Sequence, residues 1–160
     1  MPLTPALLAT ELDTQVQNAA TEPPARAALA LAWTNYFYNA TSNGVPVTPG
    51  SLAGAQAAMD AALTGMSATG AGAAALQSGI TAFWTTIVGT PAAIFVAATL
   101  ITPPPTLAGI AAAVQPVFAS NTMPGVTKTQ ALNAIATVLH ANGGIGGTAT
   151  FPGPVVAPIL

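Results

Sequence analysis

The chain has 160 residues, of which 52% are hydrophobic and 4% charged, with a formal net charge of −2 and no cysteine. An ordinary soluble domain carries about 25% charged residues. The composition leaves no basic patch for nucleic-acid binding by phosphate neutralisation, and no thiols for disulfides or thiolate metal sites.

The length suits one domain. Its charges are Glu11, Asp13, Glu22, Arg26, Asp60 and Lys128. A surface this poor in charge favours association, so a homo-oligomer is expected, the competing reading being a stable monomer with a Thr/Asn/Ser/Gln exterior. The start, MPLTPALLATELD, lacks the basic region of a secretory signal. Gly70–Ile101 carries no charged residue. It does not read as a membrane span, because Gly70–Gly79 is small and polar, Pro91 interrupts the run and no Lys or Arg flanks it.

Four Thr-Pro pairs punctuate the chain: Thr4-Pro5, Thr48-Pro49, Thr90-Pro91 and Thr102-Pro103. Each fits a helix start, with threonine capping an orphan N–H and proline at the first helical position. The first helix is expected over Pro5–Ala20, with Leu8, Leu12 and Val16 in one stripe. The second is expected from Pro23 or Pro24 to Ala40, with Leu29, Trp33, Tyr36 or Phe37, and Ala40 facing inward. Its cluster Trp33–Tyr38 reads as core plus tyrosines at a subunit contact.

Asn43-Gly44 signals a turn. A third helix is expected from Pro49 to about Gly65, with Leu52, Met59, Leu63 and Met66 on one side. The fourth, Ala73–Val88, carries Leu76, Ile80, Phe83 and Ile87 at helical spacing, a face that other segments have to cover. Pro91–Ile101 suits either a short helix or an extended piece rich in β-branched residues. Another helix is expected over Pro104–Ser120, kinked or ended early by Pro116. A last one, Lys128–Ala141, is capped by Thr127 and stopped by Asn142-Gly143-Gly144.

The remaining segment, Gly143–Leu160, holds three prolines and five glycines and cannot be a helix. Thr148–Phe151 can form a short strand. The apolar Val155, Val156, Ile159 and Leu160 predict an extended arm docked on a neighbouring subunit or back across its own domain. The expectation is therefore an all-α bundle of about six short helices over residues 1–142, with a Pro/Gly-rich extended arm over 143–160.

Candidate chemistry is sparse. His140 is the single histidine, so neither a metal cage nor a histidine relay can be assembled. It reads as a helix C-terminal cap, where the dipole favours an imidazolium. Glu11 and Asp13 point to different faces. Asp60 is expected to be solvated, at an interface, or paired with Arg26 or Lys128. The glycine run 143–147 follows a helix and lacks a P-loop lysine. No enzyme activity and no cofactor are expected.

Several stretches resemble small, uncharged structural proteins of tailed bacteriophages and related contractile particles. They are Phe83-Trp84, the Ile101–Pro105 step, Val117–Asn121, and His140-Ala141 with Gly147–Val156. The resemblance implies a non-enzymatic capsid, neck, tail or baseplate subunit, in a virion assembled in the host cytoplasm. Its partners would be its own copies and other virion proteins, with no nucleic acid and no membrane. The contact residues on this reading are Phe151, Val155, Val156, Ile159, Leu160, Tyr36 and Tyr38. The composition is also similar to substrates of mycobacterial type VII secretion, but their Trp-x-Gly turn is absent, Trp84 being followed by Thr85. The alternative function is a small helical carrier holding an apolar ligand beside Trp33, Trp84 and Met59.

Overall fold

A computed structural model describes residues 3–16, 21–121 and 123–160. Helix α1 (Pro5–Val16) and helix α2 (Glu22–Phe37) form an antiparallel pair. The expected extension of α1 to Ala20 falls outside the described residues. Thr4 behaves as a cap, its Oγ1 accepting the Leu7 N–H at 3.2 Å. Leu8 and Leu12 are buried, as are Leu29, Trp33, Tyr36, Phe37 and Ala40 on α2.

A tight hairpin follows, β1 (Thr41–Ser42) and β2 (Val45–Pro46). Its turn places Asn43 at φ 51° and Gly44 at φ 75°. Positive φ at both central positions is the two-residue turn that Asn-Gly favours, because it matches the twist of the strands. Helix α3 spans Ala53–Ala62, not Pro49–Gly65. Thr48-Pro49 does not open it: the Ser51 N–H and hydroxyl both bond the Thr48 carbonyl, and Gly50 turns the chain at φ 78°. Leu52, Met59 and Leu63 are buried against helix α4 (Gly72–Val88), which buries Leu76, Ile80, Phe83, Trp84 and Ile87.

Both readings of 91–101 hold in part. Pro91–Ile94 makes one helical turn, α5, and Leu100–Thr102 is strand β3. Thr90 precedes α5, but its hydroxyl bonds the Thr86 carbonyl instead of capping. After Thr102-Pro103 the chain makes a 3-10 turn at Leu107–Gly109 before helix α6 (Ile110–Asn121), so this Thr-Pro pair also opens no helix. Pro116 lies inside α6, which continues past it, and the proline is exposed. Helix α7 (Lys128–Leu139) has a reciprocal cap between Thr127 and Gln130. It unwinds through a wide turn, His140–Gly144, closed by the Ile145 N–H on the His140 carbonyl at 3.1 Å.

The all-α expectation needs correcting. Among the described residues 59% are helical, but five strands in two small sheets account for 12%. The residues expected as an arm form strands β4 (Thr148–Phe151) and β5 (Val155–Pro158), and with β3 they make an antiparallel sheet in the order β3-β4-β5. Unpaired strand groups need partners, and β3 supplies them from about fifty residues upstream. The C-terminus is then pinned to β1: Thr41 and Leu160 exchange two backbone hydrogen bonds of 2.9 Å, and the buried Ser42 hydroxyl donates to the Ala157 carbonyl at 3.1 Å. Ile159 is fully buried. The C-terminal segment thus completes its own chain's core.

Candidate functional site

The distribution of charge divides the molecule. All six charged side chains lie on α1, α2, α3 and α7, and residues 61–127 and 129–160 have none. Each has a local partner. Arg26 Nε sits 2.9 Å from Asp60 Oδ1, and Lys128 Nζ 3.2 Å from Asp13 Oδ1. Glu11 accepts a hydrogen bond from Asn35 Nδ2 at 3.0 Å, so Glu11 and Asp13 do face different elements. Glu22 accepts the Ser67 hydroxyl and N–H and the Gly65 N–H, which hold its carboxyl below the usual range.

The sheet lies in the uncharged part. Side chains alternate across it, as strand geometry requires. Ile101, Ala149 and Ala157 are paired in register and buried. The adjacent row, Leu100–Thr150–Val156, faces outward. Leu100 is 51% exposed and Val156 62%, with Val96 at 65% just before β3. Val155 and Leu160 are also exposed. Three of the seven expected contact residues are therefore on the surface: Val155, Val156 and Leu160. Tyr36, Phe151 and Ile159 are buried in the chain's own core, and Tyr38 is half-buried, accepting the Leu52 N–H at 3.3 Å. Leu100 and Val96 were missed. Thr99–Ile101 has a strand-like composition, but only the pairing with Thr148–Thr150 decides which of its side chains face out.

Tyr36 and His140 make a polar contact in the aromatic core region. The phenol oxygen lies 2.6 Å from His140 Nδ1, with the rings edge to face. Burial raises the Tyr36 pKa well above the usual phenol value and lowers that of His140. Both groups are thus held neutral, which suits a structural hydrogen bond. The direction for His140 runs against the imidazolium expected at the end of α7, and its cause is desolvation by burial. Next to this pair, the Trp84 indole N–H donates to the Gly143 carbonyl at 2.8 Å. Among the described residues no group of three His, Cys, Asp or Glu side chains can hold a metal. No helix among them is long and apolar enough to cross a membrane.

Trp33, Trp84 and Met59, expected to flank an apolar ligand, are all packed inside with at most 1% exposure. An apolar cleft of about 500 Å³ lies elsewhere, at the other ends of α2, α4 and α7. Its floor includes Leu12, Leu29 and Leu76, and its mouth includes Val16, Phe118 and Leu132. Comparison of the chain with protein-family models, curated proteins and solved structures finds no match.

Proposed function

We propose that this chain is a non-enzymatic structural subunit of a multi-copy particle of the virion type, and that it works by subunit contact through the outer face of the β3-β4-β5 sheet. One observation carries the reading. The uncharged part of the molecule presents Val96, Leu100, Val155, Val156 and Leu160 to solvent. Large apolar side chains grouped on a charge-free surface favour contact with another protein surface. The fold supplies rigidity, since the inner row of the same sheet is locked into the core. On this reading the contact residues are Val156 and Leu160 together with Leu100 and Val96, while Val155, exposed at the hairpin end, has the strand parity of the inner row. The particle type and its other components rest on the resemblance of the sequence to phage structural proteins.

Truncating 153–160 would remove the buried Ile159 as well as the surface, so point substitutions make the cleaner test. Light scattering on a size-exclusion column is expected to give a mass above 15.6 kDa that rises with concentration. Leu100→Lys with Val156→Glu is expected to return the chain to monomer with unchanged helical circular dichroism, because both sites are exposed. A wild-type chain that stays monomeric at every concentration, or a double variant that assembles as well as wild type, overturns contact through this face.

A further inference from the structure

The cleft at the far end of the bundle is independent of the sheet face and has the construction of a ligand site. Five helices, α1, α2, α4, α6 and α7, contribute to its walls. Leu12, Leu29, Ala73 and Leu76 on the floor are under 9% exposed, while Val16, Met66, Phe118, Leu132 and Ile135 around the mouth are half-exposed. A buried floor beneath an accessible rim is a concavity, not a flat apolar face. Its volume of about 500 Å³ falls within the range of small-molecule sites, roughly 300–1,000 Å³.

Two features shape the cleft. The segment 66–70 forms one lip, and Glu22 fixes it by accepting the Gly65 N–H at 2.6 Å, the Ser67 N–H at 3.3 Å and the Ser67 hydroxyl. Beside it, the Phe118 ring lies against Gly72, where an added Cβ would sit 3.1 Å from Cε2 of the ring and 3.5 Å from the Met66 carbonyl oxygen. The glycine lets the ring lie close against α4.

The lining also states what the guest must be. Among the described residues no charged side chain lines the cleft. Among the described residues the polar side chains on its wall are Ser67, Thr69 and Gln115, and the Ser67 hydroxyl is already donated to Glu22. A carboxylate entering here would lose water without gaining a counter-charge, and would meet the Glu22 carboxylate at the lip. We infer that this cleft binds one neutral, mainly aliphatic small molecule, of the size and chemistry of a medium-chain alcohol or ester, with its polar end towards Thr69 and Gln115. The carrier expected beside Trp33, Trp84 and Met59 is thereby moved towards the N-terminal ends of α2 and α4, away from Met59 on α3.

The test uses the full chain and the neutral fluorophore N-phenylnaphthylamine. Saturable, blue-shifted binding at one probe per chain is expected. Decanol is expected to displace the probe at about tenfold lower concentration than decanoate, the difference reflecting the unpaired carboxylate. Two filling variants from different walls, Ala25→Trp on α2 and Leu132→Trp on α7, are each expected to weaken probe binding at least about tenfold while keeping wild-type circular dichroism. Either variant that folds is sufficient for the decision. No saturable binding, or binding indifferent to a folded filling variant, overturns the site. Equal displacement by decanoate overturns its assignment to neutral ligands. A cleft plugged by an apolar segment of another protein would show no probe binding until that protein is removed, and that result also overturns the inference. The sheet variants Leu100→Lys and Val156→Glu are expected to bind the probe normally, so the two readings fail separately.

Discussion

The two ends of the bundle are built from the same helices and the same kinds of residue, yet one is sealed and the other is not. Helices α2, α4 and α7 each run from the cleft towards the end closed by the wide turn at His140–Gly144. On α4, Ala73 and Leu76 line the cleft, while Trp84 lies about 16 Å further along, under the wide turn after α7. At the sealed end Trp84, Tyr36 and Phe37 are at most 1% exposed, and aromatic pairs such as Phe37–Trp84 meet edge to face at 5.3 Å. At the open end Phe118 and Leu132 are half-exposed. What differs is the covering. The wide turn His140–Gly144 and the hairpin after it close one end, and among the described residues the short 66–70 lip borders the other. The open end is thus free to serve binding, and the sealed end carries more of the stability.

The sharpest way to break that comparison is to remove one aromatic from each end. Trp84→Ala is expected to cost about 3–5 kcal/mol in denaturant unfolding, from lost packing plus an orphaned Gly143 carbonyl. Phe118→Ala, at a half-buried site, is expected to cost about 1–2 kcal/mol. Equal losses would mean that the cleft end is as tightly packed in solution as the sheet end. A smaller effect tests the closeness of the seal. An added Cβ at Gly147 would fall 2.6 Å from Trp84 Cη2 and 3.2 Å from the Thr102 carbonyl oxygen. Gly147→Ala is expected to destabilise by about 1–3 kcal/mol, read as a lower melting temperature. An unchanged melting temperature would show that the turn has slack.

The same contrast explains what could be read from the chain. Elements made by local periodicity were legible: the Leu76–Ile80–Phe83–Ile87 face of α4, the Trp33 face of α2, the Thr127 cap and the Asn43-Gly44 turn all appear where spacing put them. Thr-Pro was a weaker signal than it looked. At Thr48 and Thr102 the proline follows a residue in extended structure and turns the chain without starting a helix, a use of proline that the dipeptide does not distinguish. The sheet was not legible as a sheet, because β3 and β4 are separated by about fifty residues and each is too short to signal pairing. That one omission left open whether the segment docks on a neighbour or back across its own domain, where the structure has it, and it placed the buried Phe151 and Ile159 among the contact residues. The cleft was hidden for a related reason. Leu29 and Leu76 show the same helical periodicity as core residues, and a stripe does not reveal whether its far end is covered.

The smallest expected effect concerns pH and again separates the ends. His140 lies at the sealed end, and burial lowers its pKa from 6.5. As pH falls through about 6.5 the unfolded chain takes up the proton first, so stability must decline until the folded pKa is passed, and then level off. Glu22, at the cleft lip, behaves differently. Its folded pKa is lowered from 4.5, so its contribution is complete above that value and is lost as pH falls through the folded pKa. Melting temperature against pH should therefore show two separate limbs, one beginning near 6.5 and one below 4.5. His140→Gln is expected to flatten the first limb and leave the second. Glu22→Gln is expected to do the reverse, and it should also loosen probe binding by freeing Gly65 and Ser67. If His140→Gln leaves the upper limb intact, the imidazole is not desolvated in solution, and the seal around Tyr36 is looser than its 2.6 Å contact indicates.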